Sequence, residues 1–190
     1  YGNYMKNLAL KGDLGISMKI RGRSVNQMIG NNFPKSFTLG IFAMAIALTV
    51  GLPIGIFAAL NRGKLADSLS MLVAIIGISV PSFIVAGTLQ WIVILIKQKT
   101  GVSILPVAGW GELKHIVLPS IALCFSPIAV IARMMRASMI EVLASDYIRT
   151  ARSKGVSYLT IILKHGVRNA ILPVVTYLGP LFAAITTGSF

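Results

Sequence analysis

The sequence has 190 residues, of which 55% are hydrophobic and only 12% charged, and its mean hydropathy is +0.80. About a quarter of the residues of an average soluble domain are charged, so this composition argues against a soluble globular protein. The net charge of +13 alone would suit a nucleic-acid-binding protein, but the hydropathy excludes nucleic acid as a partner, and a single cysteine, Cys124, excludes a disulfide framework within the chain.

Four apolar runs predict membrane-spanning helices. Ser36 to Asn61 and Ser68 to Ile96 contain no charged residue, and the other two runs are His115 to Ala132 and Asn169 to Phe190. Each run is near or above the length of about 20 residues that crosses a bilayer. We therefore expect an all-α, polytopic bundle whose second, third and fourth membrane helices pack together, with helices near 37–60, 68–97, 115–139 and 170–190.

The sequence also predicts a kink within the second span, a helix before the first span and missing sequence at both ends. Pro81 lies in the middle of the second run and predicts a kink there, and an interfacial helix is expected near Ser24 to Asn32. The chain starts without methionine and stops within its last run, so we expect an internal piece of a larger membrane protein.

Polar residues in the runs are more commonly interhelical hydrogen-bonding groups than substrate ligands, so no substrate site is assigned to Ser79, Ser82, Thr88, Gln90 or Ser126.

The central part of each run contains no Asp, Glu, Lys or Arg. Proton- and ion-coupled carriers usually keep such groups there, because a charge inside a membrane is costly and is retained where it functions. This argues against a proton-driven mechanism. A membrane enzyme is also disfavoured, because His115 and His165 have no companions in a recognisable catalytic or metal-binding arrangement.

A polar segment separates the last two runs. Between Arg133 and Arg168 the chain carries seven cations against two carboxylates. Ser145 is expected to cap a short helix that has Asp146 in its first turn, and Gly155 to end it in the left-handed conformation. Ser157 is then expected to cap a second helix that runs to about Asn169. The segment is therefore predicted to be two short helices with a glycine elbow, outside the membrane.

The first short helix would have two different sides. Tyr147, Ile148 and Ala151 would share one side, and Arg149 and Arg152 would lie one turn apart on another. Such a mixed surface suits docking in a groove of another protein. A solvated loop that follows the preference for positive charge on the inside of the membrane explains the pattern equally well.

The residues around this segment resemble a known family. The stretch EVLASDYIRTARSKGVSYLTIILKHGVRNAILPVVTYLGPL, residues 141–181, is similar to the signature loop of the binding-protein-dependent ABC importer permeases. It looks like the first permease subunit of the oligopeptide/dipeptide/nickel branch. Gly155 matches the loop glycine of the family and Pro173 its closing proline, while His165, Arg168 and Asn169 match features of the branch.

The resemblance implies a fold and a set of contacts. The fold would be that of a type I ABC importer permease (MetI-like), with residues 1–190 belonging to the transmembrane domain and 141–170 forming a cytoplasmic coupling loop. The loop signature would be His165, Arg168, Asn169 and Pro173. The coupling helix would contact an ATPase subunit through Asp146, Tyr147, Ile148, Arg149, Thr150, Ala151, Arg152, Lys154 and Gly155.

The resemblance also implies partners. The chain would lie in a bacterial or archaeal plasma membrane with a second permease subunit, two ATP-binding subunits and an extracellular substrate-binding protein that docks on segments 1–35 and 97–114. ATP and magnesium would bind to the partner subunits, so this chain would be no enzyme and would hold no cofactor and no metal. Peptides are the favoured cargo. Nickel or another small solute and, more distantly, a secondary transporter remain alternatives.

Charge bias alone does not orient the chain. With the topology that the resemblance implies, nine Lys or Arg residues lie on each side of the membrane. The positive-inside rule therefore gives no preference, and the expected orientation depends on the resemblance.

Overall fold

Helices make up nearly all of the regular structure in the computed structural model, which describes residues 2–20 and 22–187. Within those ranges no β-strand is present, and Ile16 and Ser24 form an isolated β-bridge. The helices, in chain order, are α1 (Gly2–Lys11), α2 (Val25–Leu60), α3 (Leu65–Ser79), α4 (Ser82–Thr100), α5 (Leu113–Leu143), α6 (Asp146–Ser153), α7 (Tyr158–Ala170) and α8 (Leu172–Thr187). The all-α prediction is confirmed.

Helix α2 is longer than the sequence predicted. It has 36 residues, or about 54 Å at about 1.5 Å per residue, whereas the hydrocarbon core of a bilayer is about 30 Å thick. The expected interfacial helix near Ser24 to Asn32 is wrong as a separate element, because these residues form the first turns of α2. Pro34 does not end the helix, and the carbonyl oxygen of Pro34 accepts a hydrogen bond from the Thr38 hydroxyl at 2.8 Å.

The second predicted span is broken in two. Helices α3 and α4 meet at an angle of 97°, so a single helix over 68–97 is wrong, although the predicted bend at Pro81 is confirmed. Proline has no N–H to donate and disfavours the helical conformation of the residue before it. Val80 accordingly adopts an extended conformation, with φ −85° and ψ 119°.

The described residues are consistent with up to four membrane spans. Helices α2 and α5 are each long and apolar enough to cross a membrane, and the bent pairs α3–α4 and α7–α8 add two more if each pair counts as one span. The angle between α7 and α8 is 43°. Residues 188–190, the end of the fourth predicted span, lie outside the described part of the chain.

The most extensive helix contact joins α2 to α5. A Cβ atom added at Gly51 would lie 3.0 Å from the carbonyl oxygen of Ile128, and one at Gly55 would lie 2.5 Å from that of Ala132. The prediction that the second, third and fourth spans pack together is confirmed, because α3, α4 and α8 all contact α5, but it did not include α2. Helix α5 is the centre of the structure, and α2, α3, α4 and α8 all pack against it.

The spanning segments alternate in direction. Gly40, in the first half of α2, packs against Thr186 at the end of α8, and Gly77, near the end of α3, packs against Phe125 in the first half of α5. The turn between α2 and α3 therefore lies at the same end of the bundle as α6 and α7. The loop between α4 and α5 lies at the opposite end.

Candidate functional site

The junction between α5 and α6 is short and tightly bonded. The backbone N–H of Ala144 donates to the carbonyl oxygens of Ile140 and Glu141. Ser145 has the extended backbone of an N-cap residue, with φ −70° and ψ 155°, but its hydroxyl does not cap α6. It donates instead to the carbonyl oxygen of Val142 at 2.5 Å, so the predicted side-chain cap is wrong. The serine stiffens the end of α5.

One side of α6 is buried against the chain itself. Ile148 is 0% exposed, and Ala151 is half-buried. The Tyr147 hydroxyl accepts a hydrogen bond of 2.9 Å from the side-chain amide of Asn169, in α7. Of the predicted grouping of Tyr147, Ile148 and Ala151, the last two face the chain, whereas Tyr147 is 44% exposed and reaches α7 through its hydroxyl. Ile148 packs within this chain, so it is not part of a free docking surface.

The other side of α6 is polar and open to solvent. Asp146 and Arg149 form an ion pair of 3.5 Å, with side chains 97% and 75% exposed, and such a pair contributes little to stability. Thr150, Arg152, Ser153 and Lys154 are also exposed. We refer to the exposed polar side chains of Asp146, Arg149, Thr150, Arg152, Ser153 and Lys154 as the polar face of α6. It is the part of the predicted interface that another protein can reach.

The glycine elbow has the predicted geometry. Gly155 has a φ of +74°, its N–H donates to the carbonyl oxygen of Arg152, and the N–H of Val156 donates to that of Ala151. These bonds satisfy carbonyl groups at the end of α6. A Cβ atom added at Gly155 would have no atom within 4 Å, so the constraint at this position is one of backbone conformation.

Helix α7 begins where the sequence predicted but is partly π-helical. The Ser157 hydroxyl oxygen accepts from the Thr160 N–H at 3.4 Å, and residues Ile161–Val167 form wider π-helical turns. Gly166, in this stretch, packs closely on Met139 of α5. The sequence predicted an ordinary helix, because a π-helical turn has no distinctive local pattern. Such turns are often found at functional sites.

The predicted signature residues are placed around this segment. His165 is half-buried. The side-chain amide of Asn169, which donates to the Tyr147 hydroxyl, also donates to the carbonyl oxygen of His165, at 3.0 Å. Arg168 is exposed, and Pro173 is the exposed second residue of α8. The structure therefore joins Tyr147, His165 and Asn169 into one local network, whereas Arg168 and Pro173 lie outside it.

Sequence reasoning missed a buried ion pair near this segment. The Nε and Nη2 atoms of Arg136 donate to Oδ1 and Oδ2 of Asp67 at 2.5 and 2.6 Å, and Asp67 is only 4% exposed. The Gly63 N–H donates to the same carboxylate at 3.1 Å. The one sequence feature that could have indicated this pair is Asp67 itself, an isolated carboxylate directly before the charge-free run that begins at Ser68. No local sequence pattern connects Asp67 with Arg136, which lies 69 positions later.

Two cavities border the bent α3–α4 segment. One of about 470 Å³ is lined mostly by apolar residues of α3, α4, α5 and the break between α3 and α4, among them Val80 and Phe125. The other, of about 280 Å³, lies at the opposite end from α6 and is lined in part by Gln90 and His115. Ser79 and Thr88 bond to carbonyl oxygens of their own helices, so the expected interhelical role is wrong for both.

Among the described residues, no group of three or more His, Cys, Asp or Glu side chains could hold a metal ion. The α6 end of the bundle presents an exposed basic helix, with a hydrogen-bonded network behind it and a buried ion pair beside it.

Comparison with known proteins agrees with this geometry. Residues 51–190 match the family described as "Binding-protein-dependent transport system inner membrane component". The chain belongs to this family. Its fold is the helical permease bundle (MetI-like) that the sequence predicted, and the family is one of transport components rather than of catalytic subunits.

Curated relatives match the whole chain. It is 46% identical over 188 residues to the dipeptide transport system permease protein DppB of Bacillus subtilis, a match that covers 98% of this chain and 59% of that protein. It is 44% identical over 191 residues to the oligopeptide transport system permease proteins OppB of Haemophilus influenzae and of Escherichia coli, with 100% of this chain and 60% of each relative covered. The chain therefore spans about 60% of the length of these relatives.

Proposed function

We propose that the protein containing this chain is a permease subunit of an ATP-driven importer and forms part of the pathway by which peptides cross the bacterial plasma membrane. Membership of the family supports the class of function, and the names of the relatives support peptide as the cargo. The single observation that carries the mechanism is α6. It is a short helix that buries one side on its own chain and presents its polar face to solvent at one end of the bundle.

In this proposal residues 141–170 are the cytoplasmic coupling loop, and α6 is the coupling helix. Its polar face docks in a cleft of an ATP-binding subunit, where Arg149, Arg152 and Lys154 supply positive charge. Behind the polar face, α6 packs on α7 and the Tyr147 hydroxyl bonds to Asn169, while Ile148 is fully buried. A displacement of the cleft then moves α6 together with the end of α5 as a rigid body.

The remaining partners follow from the same proposal. A second, related permease subunit completes the pathway, two ATP-binding subunits hold ATP and magnesium, and an extracellular binding protein delivers the cargo at the end of the bundle opposite α6. This chain supplies no catalytic group and no cofactor site of its own. The dipeptide and oligopeptide names of the relatives favour peptide over nickel as cargo.

Reconstituted transport tests this function. The full-length protein would be placed in liposomes with its second permease and ATP-binding subunits, with binding protein and labelled peptide on one side and ATP on the other. We expect peptide uptake that needs both ATP and the binding protein. The same uptake is measured with nickel in place of peptide, and uptake of nickel alone would favour the alternative cargo. Uptake driven by a proton gradient without ATP would contradict the proposal.

A further inference from the structure

The Asp67–Arg136 pair connects two membrane segments in a defined orientation. The Nε atom of Arg136 donates to Oδ1 of Asp67 at 2.5 Å and Nη2 donates to Oδ2 at 2.6 Å, and this two-bond geometry fixes angle as well as distance. The Asp67 side chain is 6% exposed and that of Arg136 is 27% exposed. Solvent therefore screens the pair much less than it screens the exposed pair of Asp146 and Arg149.

On one side, the pair leads directly to α6. Arg136 lies two turns before the end of α5 at Leu143, and only Ala144 and Ser145 separate α5 from α6. The backbone of both linking residues is bonded to the last turn of α5, and so is the Ser145 hydroxyl. This short junction has little freedom to absorb a movement of α6, so such a movement reaches Arg136.

On the other side, the pair leads to α3 and its break. Asp67 lies in the first turn of α3, and its carboxylate also accepts from the Gly63 N–H in the turn from α2. Helix α3 ends at Ser79, where the chain turns by 97° into α4. The apolar cavity of about 470 Å³ lies inside this bend, against Phe125 of α5. There is space there for the angle between α3 and α4 to change.

The attachment of α3 differs from that of α2. Helix α2 meets α5 through Gly55, whose backbone is so close to Ala132 that a methyl group would not fit without a shift. Helix α3 also packs on α5, at Gly77, but at the α6 end of the bundle it is held to α5 by a specific bidentate pair. Movement of α5 there is therefore transmitted to α2 by close packing and to α3 by the ion pair.

We propose that the Asp67–Arg136 pair is the link through which displacement of the coupling helix changes the position of α3 and the bend at Val80–Pro81. The two residues are positioning residues. They touch neither cargo nor ATP, and they determine whether movement at α6 reaches the membrane pathway. This inference rests on the proposed function.

The test compares coupling with stability in the full-length protein assembled with its partners. The variants are Arg136→Lys, which keeps the charge but loses the two-bond geometry, and the double variant Asp67→Leu/Arg136→Met. Replacing a buried ion pair by apolar residues of similar size is often neutral for stability or increases it, so the double variant should fold and assemble. Arg133→Gln removes an exposed arginine one turn earlier on the same helix and is the matched control.

The quantity measured is the number of ATP molecules hydrolysed per peptide imported, with thermal stability measured on the same samples. We expect this ratio to rise roughly tenfold in the double variant, the effect of losing a charge-assisted hydrogen bond, with stability unchanged. Arg136→Lys should give a smaller rise, and Arg133→Gln none. A double variant with the wild-type ratio would overturn the inference. A wild-type complex that imports no peptide with ATP would overturn the proposed function instead.

Discussion

Gly155 and Gly101 adopt nearly the same left-handed backbone conformation at opposite ends of the bundle. Their φ angles are +74° and +72°, and a Cβ atom added at either position would have no atom within 4 Å. Substitution at either glycine therefore has one physical effect, the strain of the left-handed conformation. Any difference in transport coupling between the two variants would therefore come from where each turn lies in the bundle.

This pair of glycines provides a matched prediction. We expect Gly155→Ala and Gly101→Ala each to destabilise the fold by about 1 kcal/mol, because a side chain in the left-handed region has that cost. Under the proposed function only Gly155→Ala should alter coupling, since only that variant would reorient the proposed coupling helix α6. Thermal unfolding and the ratio of ATP hydrolysed to peptide imported would be measured for both. An equal change of the ratio in the two variants would show that Gly155 has no special role.

At the scale of elements, local sequence features predicted much of the structure. Gly155, Ser157 and Pro81 each have a local conformational preference, and each one marks the turn, helix start or bend that was expected. The start of α2 was missed because Lys35 and the polar residues before it are unsuited to a bilayer but compatible with a helix outside it. The close contact of α2 with α5 was also missed, since the spacing of Gly51 and Gly55, four residues apart, indicates close packing but does not identify the partner.

The contact between α2 and α5 makes a second matched prediction. A Cβ atom at Gly55 would lie 2.5 Å from the carbonyl oxygen of Ala132 and 2.7 Å from Cβ of Met135, whereas one at Gly87 in α4 would meet nothing. Gly55→Ala must separate the two helices, and we expect a loss of about 1–3 kcal/mol, the usual cost of overpacking. Gly87→Ala should be neutral or slightly stabilising. Thermal unfolding of the purified protein would decide, and equal midpoints for the two variants would contradict the close packing.

At the scale of the whole molecule, the sequence could not predict which distant residues meet. The Asp67–Arg136 pair joins positions 69 apart, and the hydrogen bond from Asn169 to Tyr147 joins positions 22 apart. Both contacts depend on how complete helices pack. Charge could not orient the chain either, because the topology implied by the resemblance puts nine cations on each side. The alternation of the helices supplies part of the answer, since it places α6 and the loop between α4 and α5 at opposite ends.

That separation of the two ends can be tested by crosslinking in the assembled transporter. Ser153, on the polar face of α6, and Ser103, in the loop between α4 and α5, are both exposed, so cysteines at these positions should be equally reactive. The native Cys124 is buried and should not compete for a polar crosslinking reagent. We expect Ser153→Cys to crosslink to an ATP-binding subunit and Ser103→Cys to crosslink to the extracellular binding protein, because the bundle places them on opposite sides of the membrane. If Ser103→Cys reacts with the ATP-binding subunit instead, the orientation is inverted and α6 cannot be the coupling helix.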